Sequence, residues 1–244
     1  MPSPDQDSVL SRRRFLAAGA ACAGAFAVPS VVGAPSAAAA TGYTLTATNG
    51  SPGFLDVCLF KKAVDPGVPG AFSLAWLVAP AHAGATVTFT WSTDHSFVWA
   101  VTGPLTPGIT FMPWGRIAAD PNGPSRNRTG FGFGFDNAYG FVPPTSGGTL
   151  PQGSLGIDVL ATVPQDTASV GIGMSSAPVF AAQADPGANL VFRPDPQYWI
   201  TAGPYFRGEV LDVEEIEIVA EVPFGDAQSM RALLSPSGGW SFSP

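Results

Sequence analysis

Ala85-Thr-Val-Thr-Phe-Thr-Trp-Ser-Thr-Asp-His-Ser-Phe-Val-Trp-Ala-Val-Thr-Gly103 holds two runs of period-two alternation on either side of a short polar break. In the first run Val87, Phe89 and Trp91 share one face while Thr86, Thr88, Thr90 and Ser92 share the other, the pattern of a half-buried strand. In the second run Phe97, Trp99 and Val101 oppose Val98 and Ala100, so both faces are apolar and the strand is expected to lie deeper. The stretch reads as a β-hairpin that the rest of the chain is built to cover.

Working outward, the same alternation recurs in short pieces. Tyr43 to Thr48 alternates and ends in the turn cluster Asn49-Gly50-Ser51-Pro52-Gly53. Leu55, Val57 and Leu59 oppose Asp56, Cys58 and Phe60 in a second strand, and Phe72, Leu74, Trp76 and Val78 form one face of a third. From Pro104 to Gly148 seven prolines rule out a long central strand. The orderly piece there is Gly130-Phe-Gly-Phe-Gly-Phe135, with Phe131, Phe133 and Phe135 on one face and a bare glycine face that a backbone or flat ligand could approach closely.

Leu155 to Thr162, Ser169 to Met174, Leu190 to Phe192, Ser229 to Leu234 and Trp240 to Phe242 are further strands. Glu209 to Val222 is the longest candidate, and its phase error between Val213 and Ile216 calls for a β-bulge at Glu214-Glu215. No segment keeps a 3.6-residue period over three turns, and 29 Gly with 25 Pro indicate many turns. The expected fold is all-β, a single antiparallel β-sandwich of about a dozen short strands, with a closed β-barrel as the alternative.

The chain opens with a segment to be excluded from that fold. Ser11-Arg12-Arg13-Arg14-Phe15-Leu16, an uncharged Ala-rich run from Ala17 to Val32 and a tetra-Ala ending at Ala40 match a twin-arginine export signal. The run is short and interrupted by Gly19, Gly24 and Pro29, so it is not expected to act as a stable membrane anchor. Residues 1–40 are thus expected to be cleaved and 41–244 to form one exported domain, released to the periplasm or outside the cell.

Charge and cysteine usage narrow the partners. The chain carries a net charge of −7, and from Thr41 onward 8 Lys and Arg face 16 Asp and Glu. Nucleic acid and acidic membrane surfaces are repelled by that balance. Cys58 is the one cysteine beyond the leader, so no intramolecular disulfide is available.

Several ordered blocks also carry a family likeness: Asp56-Val-Cys-Leu59, Phe72-Ser-Leu-Ala-Trp76, Thr90-Trp-Ser-Thr-Asp-His-Ser-Phe-Val-Trp99, Ala168-Ser-Val-Gly-Ile-Gly-Met174, Tyr198-Trp-Ile-Thr201 and Gly208-Glu-Val-Leu-Asp212. With them, the stretch from Tyr43 to Trp240 resembles the rhizosphere-induced protein family, the RhiA-like proteins. The resemblance implies a bacterial protein associated with life near plant roots. It brings no assigned catalytic residues, so no site is carried over. The twin-arginine leader departs from the rhizobial pattern and speaks against a purely cytoplasmic role.

Reactive constellations are sparse. His82 and His95 have no partner at metal-ligand spacing, Cys58 stands alone, and no G-x-S-x-G elbow occurs. No catalytic residue, metal or cofactor is expected, with calcium held by loop oxygens as the residual alternative. The carboxylates Asp212, Glu214, Glu215 and Glu217 suit a solvated strand edge better than paired glycosidase acids.

The aromatics lead further. Trp76, Trp91 and Trp99 lie on apolar strand faces and are expected in the core. The Pro-rich loops Phe111 to Arg116 and Asp195 to Tyr205 instead place a ring beside a cation, Trp114 with Arg116 and Tyr205 with Arg207, and Trp199 adds a third ring. Rings for stacking and guanidinium forks suit a polyhydroxylated or carboxylated ligand, although the same rings could simply cap the sandwich. The expected function is a non-catalytic binding protein for a carbohydrate or a protein surface. A hydrolase with an unconventional site and a self-assembling or membrane-active protein are the alternatives.

Overall fold

Alternation along the sequence becomes seventeen short strands in the computed structural model, which describes residues 42–62, 70–134, 137–194 and 196–244. In chain order they are β1 (Gly42–Asn49), β2 (Leu55–Phe60), β3 (Phe72–Ser73), β4 (Leu77–Ala81), β5 (Thr86–Ser92) and β6 (His95–Ala100). Then come β7 (Gly115–Ala119), β8 (Arg128–Phe133), β9 (Tyr139–Val142), β10 (Leu155–Val159), β11 (Ser169–Met174) and β12 (Ala177–Gln183). The last are β13 (Asn189–Phe192), β14 (Trp199–Gly203), β15 (Val219–Glu221), β16 (Ser229–Leu234) and β17 (Trp240–Ser243). No helix occurs among the described residues. The export leader, Phe135 and Asp195 lie outside them.

The strands form four sheets, ordered β17-β16-β1-β5, β15-β14-β2-β4, β3-β12-β11-β6-β7 and β13-β10-β8-β9. Pairing is antiparallel except for β1 with β16 and β8 with β10. None of the four closes into a barrel. A central core takes Leu45 from β1, Val57 and Leu59 from β2, Phe89 and Trp91 from β5, Phe97 from β6, Phe131 from β8 and Ile172 from β11, so all four sheets bury one face against it.

Two sheets bury their outer faces as well. Cys58 and Phe60 of β2 join Ala75 and Leu211 in a second cluster, while Val98 and Ala100 of β6 join Leu74, Leu105, Phe111 and Val210 in a third. Both-sided burial is what the apolar runs of β2 and β6 demand.

The organising stretch is not a hairpin. β5 pairs with β1, whereas β6 pairs with β7 and β11, so the chain passes from one sheet to another at Thr93-Asp94. A two-residue hairpin needs a positive φ at its centre, and neither Thr93 nor Asp94 has one. The tight turn falls instead at Ser175-Ser176, between β11 and β12, where φ is 47° and 66°. Serine is not the residue such a turn prefers. Ser175 is held there by donating its N–H to the Asp94 carbonyl and by accepting the Ser92 N–H on its hydroxyl.

Two other expectations change. The third strand breaks after Ser73 because Leu74, Ala75 and Trp76 turn into three different clusters, their N–H groups bonding Val179, Glu209 and Leu59. Trp76 also donates its indole N–H to the Met174 carbonyl at 3.0 Å. The long strand from Glu209 to Val222 and its bulge are absent, leaving β15 at Val219–Glu221. Asp212 starts a turn instead, its carboxylate accepting the Glu214 N–H and its carbonyl the Glu215 N–H, and this turn delivers both Val213 and Ile216 to the cluster beneath β2.

Candidate functional site

Two loops meet on the outer side of the five-stranded sheet. The Phe111 N–H donates to the Gly208 carbonyl, the Gly108 N–H to Val210 and the Val210 N–H to Ile109, while Thr110 and Glu209 form an isolated bridge. This short ladder packs Phe111 and Val210 onto Val98 and Ala100, which explains why β6 is apolar on both faces. Gly208 makes the close approach possible: its φ is +83° and a Cβ there would sit 2.7 Å from the Phe111 carbonyl oxygen.

Outward, the ladder and the start of β7 present Trp114, Phe206 and Met112, exposed by 74%, 73% and 68%, with Ile109 and Ile117 beside them in the chain. Three large apolar side chains so exposed on two joined segments are unusual on a monomer's surface. Arg116 and Arg207 lie on the same two segments. Both line a groove of about 230 Å³ with Phe111, Met112, Pro113, Ser176, Pro178 and Gly208.

The strained serine turn reaches into this groove. Arg116 donates Nη2 to the Ser176 carbonyl at 2.7 Å, so the turn that closes the β11–β12 hairpin also holds one guanidinium in place. Arg207 is exposed. Glu209, two residues on, points its carboxylate back to the Phe206 N–H at 2.9 Å and lines a neighbouring groove of about 200 Å³ with Tyr205, Asp212 and Glu215.

The five expected ligand residues therefore fall in two places. Arg116 and Arg207 share the first groove, with Trp114 on the chain between Pro113 and Gly115 at its border. Tyr205 lines the second groove, and Trp199 packs with Tyr205 against the cluster beneath β2, its ring under Lys62 Nζ at 3.8 Å. Tyr205 accepts a long hydrogen bond from the Thr201 hydroxyl, and burial pushes its phenol pKa up. Tyr198 is buried in the central aromatic cluster with Tyr43, Trp76, Trp91 and Phe224.

Met112, Phe206, Ser176 and Pro178 had no sequence signal as site residues. An exposed apolar residue is read as core until the pairing of its segment is known. Pro178 disguises β12 as a loop.

The titratable groups elsewhere are built into the fold. Cys58 is fully buried, and burial pushes its thiol far up, so it stays a neutral thiol rather than a nucleophile. His95 is lowered to about 4, chiefly by burial and then by the Lys61 charge. Asp158, nearly inaccessible, accepts Arg128 Nη1 at 3.1 Å and the N–H groups of Thr145 and Ser146 at 2.9 and 2.7 Å, which pins the 145–146 loop. Among the described residues, no three His, Cys, Asp or Glu side chains converge to hold a metal ion.

The model of the RhiA family matches residues 40–244, the span that contains every strand above. The chain belongs to the RhiA family. It is similar to Protein RhiA of Rhizobium leguminosarum bv. viciae, with 35% identity over 218 residues that cover 87% of this chain and 90% of that protein. No solved structure matches it. The Arg116 and Arg207 groove thus lies on a RhiA-family chain.

Proposed function

We propose that this RhiA-family chain is an exported, non-catalytic binding protein, and that it takes a saccharide on its aromatic and cationic face. The twin-arginine segment around Arg12 and Arg13 supports export of residues 41–244 as one folded domain. The observation that carries the binding reading is the pair of joined segments itself, where Met112 lines a groove with Arg116 and Arg207, and Trp114 and Phe206, close by in the chain, stay in solvent. Burying those side chains internally would have been favourable by about 1.5–3 kcal/mol each, so their exposure marks a contact surface. Flat rings beside forked donors are the recognition chemistry of sugars.

A glycan array probed with the purified protein tests this. Binding to one saccharide class, lost in Trp114→Ala and Phe206→Ser, is the expected result. An array without bound sugar, or binding indifferent to both substitutions, refutes it.

A further inference from the structure

We infer that the groove between Arg116 and Arg207 is a site for an ionised carboxylate carried on a sugar ring; this rests on the binding reading above and names its ligand class. The first support is the distribution of charge. In a chain of net charge −7, ion pairs neutralise Arg126 with Asp120 and Arg128 with Asp158, whereas Arg116 and Arg207 form none among the described residues. Two cations without a carboxylate, on one groove of an acidic protein, leave a local positive site where the surroundings repel anions.

The carboxylates of the 209–215 stretch are turned away. Glu209 is tied to the Phe206 N–H and lines the adjoining groove together with Asp212 and Glu215. The 206–210 segment thus separates an acidic groove from a basic one: Arg207 lines the first groove and Glu209 the second, because the positive φ of Gly208 between them breaks the alternation that would put residues two apart on one side.

The second support is the way Arg116 is held. One guanidinium nitrogen, Nη2, is engaged by the Ser176 carbonyl, which fixes the plane of the fork and leaves the remaining N–H groups to donate elsewhere. That carbonyl is presented by a turn whose two central serines both have positive φ, a costly conformation for non-glycine residues that concentrates at functional sites. Guanidinium forks match the planar, bidentate geometry of a carboxylate.

The third support is shape. Phe111, Met112, Pro113 and Pro178 give the groove an apolar lining that suits the C–H face of a sugar. At about 230 Å³ it lies below the roughly 300–1,000 Å³ of drug-sized sites, which is room for one ring rather than a buried oligomer. An acidic monosaccharide unit within an exposed polymer meets all three conditions.

The test is isothermal titration of the full protein with glucuronate, glucose, hexanoate and sulfate, repeated in Arg207→Gln and Arg116→Gln. Glucuronate is expected to bind at least tenfold more tightly than the other three, and each substitution to weaken it by at least tenfold. Arg207 is exposed, so Arg207→Gln is expected to keep the wild-type unfolding midpoint and decides the matter alone if Arg116→Gln fails to fold. Glucose binding as well as glucuronate overturns the carboxylate; hexanoate or sulfate binding as well overturns the sugar. No response to glucuronate also overturns the inference. A glycan array that still captures neutral sugars would then leave the broader binding reading standing, whereas an empty array would remove both.

Discussion

Acidification from pH 7 to pH 5 is expected to destabilise the protein through His95. Its imidazole sits at the start of β6, between β7 and β11, opposite Ala119 and Met174. Burial is the main cause that lowers its pKa from 6.5 to about 4; Lys61 adds to the effect, while Asp94, Asp120 and the Thr93 backbone oppose it. The native state therefore holds a neutral imidazole and resists the proton that the unfolded chain accepts. The group's contribution is fully present above pH 6.5 and is lost as pH falls toward 4.

For a pKa of 6.5 unfolded and about 4 folded, linkage gives a loss of about 2 kcal/mol at pH 5 and about 3 kcal/mol at pH 4. Against a total stability of about 5–15 kcal/mol that is a large fraction. Urea unfolding followed by tryptophan fluorescence at pH 7 and pH 5 measures it. With a slope of about 2 kcal/mol per molar, the midpoint falls by about 1 M more in the wild type than in His95→Gln, which cannot titrate. Groups other than residue 95 are common to both proteins and cancel in the comparison. Equal losses in the two proteins would refute the argument, because the acid sensitivity would then reside elsewhere.

Local structure was legible wherever one face of a strand had to be buried. β1, β5 and β16 follow directly from alternation, because a slip of one residue would expose Phe89 and Trp91, whereas β2, β6 and β11 are legible as apolar runs with both faces buried. Which strands pair was not legible. Thr93-Asp94 and Ser175-Ser176 are both short polar breaks between apolar runs, and only the second is a hairpin turn. Alternation reports burial and is blind to the neighbour, so a corner between sheets and a hairpin look alike. Glu209 to Val222 failed for a related reason: Val213 and Ile216 are brought half-buried onto one cluster by an Asx turn at Asp212, which gives spacing that strand periodicity can only mimic with a bulge. At the candidate site, the two cations were readable as a pair, since each stood beside Pro and aromatic residues. The distant ring Trp199 was not separable from them without knowing that β14 pairs with β2.

The remaining perturbations each test one link. Asp158→Asn removes the charge that Arg128, Thr145 and Ser146 converge on, and stranding a buried guanidinium is expected to cost about 3–5 kcal/mol; a loss under about 1 kcal/mol in urea unfolding would show the pair is dispensable. Trp91→Ala empties the centre of the Tyr43, Trp76, Tyr198 and Phe224 cluster and is expected to cost about 3–5 kcal/mol, with an unchanged midpoint as the contrary result. Replacing Arg12 and Arg13 by Lys is expected to retain the protein in the cytoplasm, and its continued release would contradict the export reading. Gly208→Ala tests how the fold builds the groove. A methyl group at φ +83° is strained by about 1–2 kcal/mol and would press on the Phe111 carbonyl 2.7 Å away, so the ladder must open. Arg207 precedes that residue and Arg116 follows the Phe111 loop, so opening the ladder separates two cations that the substitution itself leaves intact. Glucuronate affinity is therefore expected to fall several-fold, with a loss of only a few degrees in the thermal midpoint. If affinity holds while stability drops, the ladder supports the sheet and has no part in positioning the arginines.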